Sequence, residues 1–499
     1  MQRRSLLRAA VALAAARFTA AGAVQAAPGR PRFDADPFGL GVASGEPRPD
    51  GFVLWTRCLG ARGDVALGWE VAEDEGFRRI AQRGRVTAPA ARGGAAHVQV
   101  RGLRPGRPYW YRFQVGGVAS PTGRTLTIPL NPARLRLALA SCQHWEHGWF
   151  SAYRDMLDQG VDAILHVGDY IYEYGFGSGP DVRSFGAPEP RDLDGFRARY
   201  ALYRTDPDLR RAHAETPFIV TWDDHEVQND YAGPFGVKDA DPDVFLKVRA
   251  AAYQAYFEHM PLSPAVLRPD GEVRLYRRFA WGDLAHLHVL DTRQYRDVQP
   301  CLPANDRKSR PIASCTELER PDRTMLGRAQ EAWLSAGLAQ SPARWTLLGQ
   351  QTLFSRLALP EPTPRWGDFW DGYPAAQARL TTELARTRNP VVLGGDLHSF
   401  WLCDVPDDAG GPAPRTVATE IVTTCLASRN GPDALFEAAR PLNPHVRFLD
   451  NAHAGYALLD ITAKRISGDL RVVRDLADPA AKTTSLRRFD IADGRSGIA

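Results

Sequence analysis

The chain has 499 residues, 44% of them hydrophobic and 24% charged, with a formal net charge of +4 at neutral pH. That composition supplies enough apolar residues for more than one sizeable core and excludes a largely disordered chain. Residues 1–26 hold four arginines and no acids, which leaves the remainder formally neutral; with no basic stripe carrying interleaved aromatics, a stable nucleic-acid complex is not expected.

At the N-terminus, MQRRSLLRAAVALAAARFTAAGAVQAAPG pairs Arg3 with Arg4, adds two leucines and an alanine-rich stretch, and ends in a small-residue cleavage pattern at Ala26. It looks like a twin-arginine signal peptide over residues 1–26, with the twin-arginine export machinery as partner and a periplasmic or secreted destination. Arg17 interrupts the apolar stretch, which is too short and too weakly hydrophobic to span a bilayer. Removal of the leader is therefore expected, with no membrane span in the mature protein.

Residues 38–128 alternate short strand-like runs with turn residues: FVLWTR, VALGWEVAE, AAHVQVRGL, YWYRFQVGG and RTLTIP. They predict an antiparallel β-sandwich domain, and LRPGRPYWYRFQV resembles the late strands of fibronectin-type or immunoglobulin-like modules. From residue 134 to the end the texture changes. Apolar runs (LRLALASC, DAILHVGDY, PFIVTWDDH, AHLHVLDTR, WTLLGQQT, VVLGGDLH, VATEIVTT) alternate with amphipathic stretches such as DVFLKVRAAAYQAYFEHM and MLGRAQEAWLSAGLAQ. Strands apolar on both faces and separated by helices predict an α/β domain with covered sheets, whose ligands bind beyond the carboxyl ends of the strands.

The six cysteines are too few for a disulfide scaffold. Burial as small apolar residues accounts for Cys58, Cys403 and Cys425. Cys301 and Cys315 lie in one polar, Pro-rich stretch that an exported protein can bridge, although spacing alone leaves the pair open. Cys142 sits where an apolar strand should stop, and no resolving cysteine accompanies it in a CxxC pattern, which argues against a redox role.

The polar residues just after the apolar runs are Cys142 and Gln143; His166, Asp169 and Tyr172; Asp223, Asp224, His225, Glu226 and Asn229; Asp291 and Arg293; Gln350 and Gln351; Asp396 and His398. A single aspartate after a strand is ordinarily a turn residue or a helix cap. Such residues at five consecutive strand ends are harder to dismiss. Asp169, Asn229, Asp396 and either Asp223 or Asp224 suit hard divalent cations, whereas Cys142 and Tyr172 must each lose a proton to bind, which demands a strongly Lewis-acidic ion. Phenolate with carboxylate favours ferric iron over zinc, and His398 supplies a nitrogen. The mixed set points to a multinuclear site bridged by Asp169 and to metal-assisted phosphoester hydrolysis.

ASCQ, HVGDYIYEYG, TWDDHEVQND, HVLDTRQYRD, LGQQT and GGDLHSFW, in that order, resemble the PhoD-type alkaline phosphatases, a family with a phospholipase D-like branch. The resemblance spans essentially the whole chain. It implies a calcineurin-like metallophosphatase fold, a layered β-sandwich core flanked by helices, holding Fe3+ together with Ca2+. It carries Cys142 and Tyr172 onto iron, Asp169 onto a bridge between iron and calcium, and adds Asn229, Asp396 and His398 as ligands. The family often has Asn-Asn where this chain has Asn229-Asp230, which leaves the neighbour's role unassigned.

Two catalytic assignments are inferred beside the resemblance. His225 acts as general acid or substrate ligand, or else supports a ligand by hydrogen bonding. Arg293 neutralises the substrate phosphate, or else pairs with Asp291 or another acid. Trp222, Trp401 and the segment WGDFWDGY (366–373) read as packing, with the last also placed to line a substrate mouth. Three functions remain in competition: phosphate mono- or diesterase, phospholipase D-like phosphodiesterase, and a non-catalytic exported binding protein with structural metals.

Overall fold

Leucines and alanines alternate along the strand Arg134–Ala140. Leu135, Leu137 and Leu139 face one apolar cluster, and Ala138 and Ala140 face another. The same two-sided burial recurs in Ala163–His166, which pairs with it in parallel, in Phe218–Val220, which pairs in parallel with Ala163–His166, and in Trp345–Gly349 and Pro390–Gly394 of a second sheet. In the computed structural model of the chain, which describes residues 33–175, 181–239, 241–268, 272–303, 306–407 and 414–499, these strands lie in two packed sheets. The leader expected over 1–26 lies outside the described residues.

The larger sheet has nine strands, in the order 483–492, 465–473, 455–462, 134–140, 163–166, 218–220, 42–48, 51–57 and 95–100. The smaller has seven, in the order 277–281, 285–289, 345–349, 390–394, 416–422, 400–406 and 446–450. Their inner faces meet through Leu137, Leu139 and Leu165 against Leu287, Leu347, Val391 and Leu393. Helices Leu193–Tyr203, Pro207–Glu215 and Pro242–His259 cover the outer face of the nine-stranded sheet, and Arg328–Ala339 and Pro374–Leu384 cover the other. Asp-Pro pairs start two of these helices: Asp206 and Asp241 accept from backbone amides while Pro207 and Pro242 occupy the first turn. No helix among the described residues is long and apolar enough to cross a membrane.

The region 38–128 is built of strands, yet its two sheets have different fates. Strands 65–72, 80–88, 108–115, 118–119 and 123–126 form a sheet of their own. Strands 42–48, 51–57 and 95–100 pack against it through Leu54, Val98, Leu67 and Tyr111 but continue the nine-stranded sheet. A fibronectin-type or immunoglobulin-like module closes both sheets on itself; here one sheet is shared with the rest of the chain.

The join is the parallel pairing of Gly45 with Phe218. A Cβ at Gly45 would lie 2.5 Å from the Pro261 carbonyl oxygen and 2.7 Å from that of Phe218, closer than such contacts allow, so the absent side chain lets the strands meet. Cys301 and Cys315 are disulfide-bonded, with Cα atoms 5.9 Å apart, and the other four cysteines are buried thiols. Gly45→Ala is expected to lower stability by about 1–3 kcal/mol through overpacking at this join. Urea unfolding measures it, and an unchanged midpoint would show that the join is slack.

Candidate metal centre

The parallel strands end in sharp turns whose backbones are left-handed at the residues that carry the chemistry. Cys142, Asp169, Asp396 and His398 have φ of 58°, 55°, 69° and 55°. Non-glycine residues seldom adopt this region, and a group of them at the shared edge of the two sheets is held in place by the surrounding structure. Gly168 (φ 126°) lets two of the turns touch, since a Cβ there would collide with the Asp223 side chain.

Three sets of ligand atoms form, each within 4.8 Å, and Asp169 belongs to all of them: with Cys142 and His398, with Asp224 and His225, and with Asp223, Asp224 and Asp396. Tyr172, fully buried, places its hydroxyl 3.0 Å from Asp169 Oδ2 and 2.9 Å from His398 Nε2. His398 Nδ1 lies 2.6 Å from the Arg429 carbonyl oxygen. A carbonyl only accepts, so Nδ1 carries the proton and Nε2 turns its lone pair toward Tyr172. The residues expected at the site from sequence are thus brought together, with Asn229 attached through its neighbours: its backbone amide donates to Glu173 Oε1 at 2.8 Å, and Tyr174 Oη donates to its Oδ1 at 3.4 Å.

Arg293 is placed differently from a group that greets a substrate. Its guanidinium is fully buried and pairs with Asp223, with Asp368 at 2.7 Å, with Asp224 at 3.6 Å and with Asp396 at 3.7 Å. Of its two sequence readings, pairing with acids describes what the side chain does, although Asp291 is not among the partners; Asp291 instead accepts from the backbone amides of Arg293 and Gln294.

Electrostatics mark the same residues. Burial, reinforced by Asp224, Asp223 and Glu226 against the opposing pull of His225, holds Asp169 well above the ordinary carboxylate range. Asp223 is raised well above it by burial and by Asp396 and Asp224, with Arg293 only partly offsetting them. Asp396 is pushed to about 7 and Glu226 to about 8, burial leading in both. Burial and then Asp169 lift the Cys142 thiol and the Tyr172 phenol well above their usual values. Asp224 is the exception: burial opposes its ionisation, but Arg293 and His225 hold it below the usual range. His225 goes up despite burial because Glu173, Asp169 and Asp224 surround it, while burial takes His398 down to about 4.

This donor set fits metal ions. Asp169 Oδ1, Asp224 Oδ1 and Asp396 Oδ2 are buried with no hydrogen-bond partner, a costly arrangement that a cation relieves. The site without metal also holds protons on a thiol, a phenol and several carboxyls, which cations displace when they bind.

Several supporting residues carry less sequence signal. Glu226 accepts from the backbone amides of Asp169, Tyr170 and Asp223 and so ties two turns together. Gln351 reaches Thr221 Oγ1, Trp222 O, Leu290 O and the Thr292 amide, stitching three strand ends. Glu173, the last residue of GDYIYE, accepts from His225 Nδ1 at 2.7 Å. Asp368, inside WGDFWDGY, accepts from Arg293, Arg296 and Gln299; that segment buttresses the acids, and its aspartate flanked by aromatics was the available clue. Trp222 and Trp401 pack as expected, against Tyr253 and Phe436.

The family profile described as PhoD-like phosphatase matches residues 137–470, and that of the PhoD-like phosphatase N-terminal domain matches residues 23–129. Alkaline phosphatase D of Bacillus subtilis (strain 168) is 39% identical over 490 residues, covering 94% of this chain and 83% of that protein. A solved structure of PhoD superposes with a TM-score of 0.87 at 37% identity, over 94% of this chain and 93% of that one. The purple acid phosphatase PPD1 of yellow lupin (Lupinus luteus) superposes at 0.56 with 10% identity, over 90% of this chain and 74% of that one, a likeness of fold alone. The chain belongs to the PhoD-like phosphatase family.

Proposed function

We propose that this chain is an exported, metal-dependent hydrolase of phosphate mono- or diesters. The observation that carries this reading is the sharing of Asp169 by three convergent ligand sets, one containing a thiol and the others rich in carboxylate oxygen. On it, Fe3+ would be held by Cys142, Tyr172, Asp169 and His398, and Ca2+ by Asp169, Asn229 and Asp396, with Asp223 and Asp224 as supporting oxygens. When bound, these ions supply the positive charge that polarises the phosphoryl oxygens and acidifies the attacking water.

The chain's own residues do the rest. The P–O bond to the leaving alcohol breaks as one to water oxygen forms; His225 gives a proton to the leaving oxygen from Nε2 and recovers one from water. Arg293 acts from beneath, holding Asp223, Asp224, Asp368 and Asp396 in register. A leader over 1–26, a strand unit over 38–128 and a catalytic unit over 134–499 complete the reading, with delivery to the periplasm or beyond by the twin-arginine route. The similarity to alkaline phosphatase D favours a catalyst over a binding protein with structural metals.

A thiolate or phenolate on ferric iron absorbs visible light, so the purified enzyme should be coloured. Cys142→Ala should change the band, lower iron per chain and cut kcat/KM by about 100-fold or more. Spectroscopy with elemental mass spectrometry reads both, and a colourless, iron-free, fully active wild type would refute the assignment. Rates on p-nitrophenyl phosphate, bis-p-nitrophenyl phosphate and phosphatidylcholine separate monoester, diester and phospholipase D-like action. Arg293→Met leaves the carboxylates without their buried cation and should cost about 3–5 kcal/mol of stability in the metal-depleted protein. Chemical denaturation measures it; a loss below about 1 kcal/mol would show that Arg293 does not organise the acids.

A further inference from the structure

Glu173 touches two parts of the site at once, and its carboxylate is fully buried. Oε2 lies 2.7 Å from His225 Nδ1, and Oε1 accepts from the Asn229 backbone amide at 2.8 Å. Both oxygens are thus engaged by protein. The backbone beneath is fixed as well: the buried Arg199 donates to the carbonyl oxygens of Tyr172 and Glu173, and its guanidinium stacks 3.7 Å from the Phe185 ring. The Tyr172 ring, centred 4.1 Å from that of His225, bounds the imidazole on one side.

We infer that Glu173 is the positioning residue of the site, a carboxylate that keeps the proton on His225 Nδ1 and so makes Nε2 the nitrogen that exchanges protons with substrate. The inference rests on the phosphoester-hydrolase reading above. With Oε1 accepting from the Asn229 amide and Oε2 2.7 Å from Nδ1, the carboxylate acts as the acceptor and the imidazole presents N–H to it. The same arrangement orients histidines in metal sites and hydrolases generally, where a carboxylate behind the ring selects its tautomer. Here that carboxylate also holds the amide of Asn229, so the imidazole and the turn carrying a proposed calcium ligand keep one common register.

Glu173→Gln tests this without removing volume. The amide oxygen can still accept from Asn229 N, but the NH2 group now faces Nδ1 and forces the tautomer to switch or the ring to turn. In the holoenzyme, kcat should fall on the order of 100-fold for an alkyl phosphoester, which needs a proton on its leaving oxygen, and by less than about tenfold for a p-nitrophenyl ester. KM should stay within about threefold, and metal content per chain should match wild type. With His225→Gln already in place, Glu173→Gln should cost little more, because the two residues act as one unit.

Wild-type rates, equal losses on both esters, or additive losses in the double variant each overturn the inference. Should Glu173→Gln fail to fold, Glu173→Asp keeps the charge and must retain more activity than Glu173→Ala; loss of fold in both Gln and Asp variants makes Glu173 a structural residue and overturns the proposal. A wild type that hydrolyses no phosphoester refutes the functional reading itself, whereas an active wild type with an indifferent Glu173 refutes only this step.

Discussion

The constraint on which the site depends is the burial of like charge. Asp169, Asp223, Asp224, Glu226, Asp368 and Asp396 are gathered at one edge of two packed sheets, the first five almost wholly out of water and Asp396 with its side chain 16% exposed. Desolvation disfavours each charge, and their mutual repulsion disfavours them jointly. Arg293 contacts four of these six acids and Arg296 supports it through Asp368. Two guanidiniums do not neutralise six carboxylates, so the remainder must carry protons or meet cations. That is why raised pKa values and oxygens without a hydrogen bond coincide at Asp169 and Asp396, and why the acids read as a site rather than as a structural ion-pair network.

Holding such a cluster requires turns that cannot relax. Left-handed backbone at Cys142, Asp169, Asp396 and His398 costs energy locally, and the two-sheet core beneath supplies the rigidity that sustains it. Glu226 and Gln351 transmit that rigidity by binding backbone groups from different strand ends, so the turns move together or not at all. The shared N-terminal strands extend the same support: strand Phe218–Val220, which leads into Asp223 and Asp224, is flanked by Ala163–His166 on one side and Val42–Arg48 on the other.

Much of this could be read from sequence because strand ends are the one place where an apolar run and its chemistry are adjacent in the chain. All seven apolar runs between 134 and 422 became strands, and Cys142, Asp169, Tyr172, Asp396 and His398 became neighbours in space. What escaped has physical reasons. VASGEPR and IAQRGRVTA form strands 42–48 and 80–88, yet the first is interrupted by glycine and charge and the second is mostly polar, so neither shows a clean period. The three C-terminal strands complete one edge of the larger sheet through pairing that no local pattern announces. Glu173 and Asp368 work through partners about 50 to 75 residues away, a relation that a single sequence does not display.

Arg293 shows where residue type misleads. An arginine after a strand that ends among aspartates invites a phosphate-clamp reading, because guanidinium suits both carboxylate and phosphate. The structure shows the carboxylate pairing. A side chain with no exposed surface and four carboxylate neighbours is already in service, and withdrawing it toward substrate would strand the acids it pairs. On the proposed chemistry the positive charge a phosphoester needs comes from elsewhere, and the oxygens without a hydrogen bond on Asp169, Asp224 and Asp396 mark where that charge would sit. The organisation is therefore self-consistent on the proposed chemistry: the protein's own cation stabilises the acids, and the acids in turn create the positions at which external cations serve the substrate.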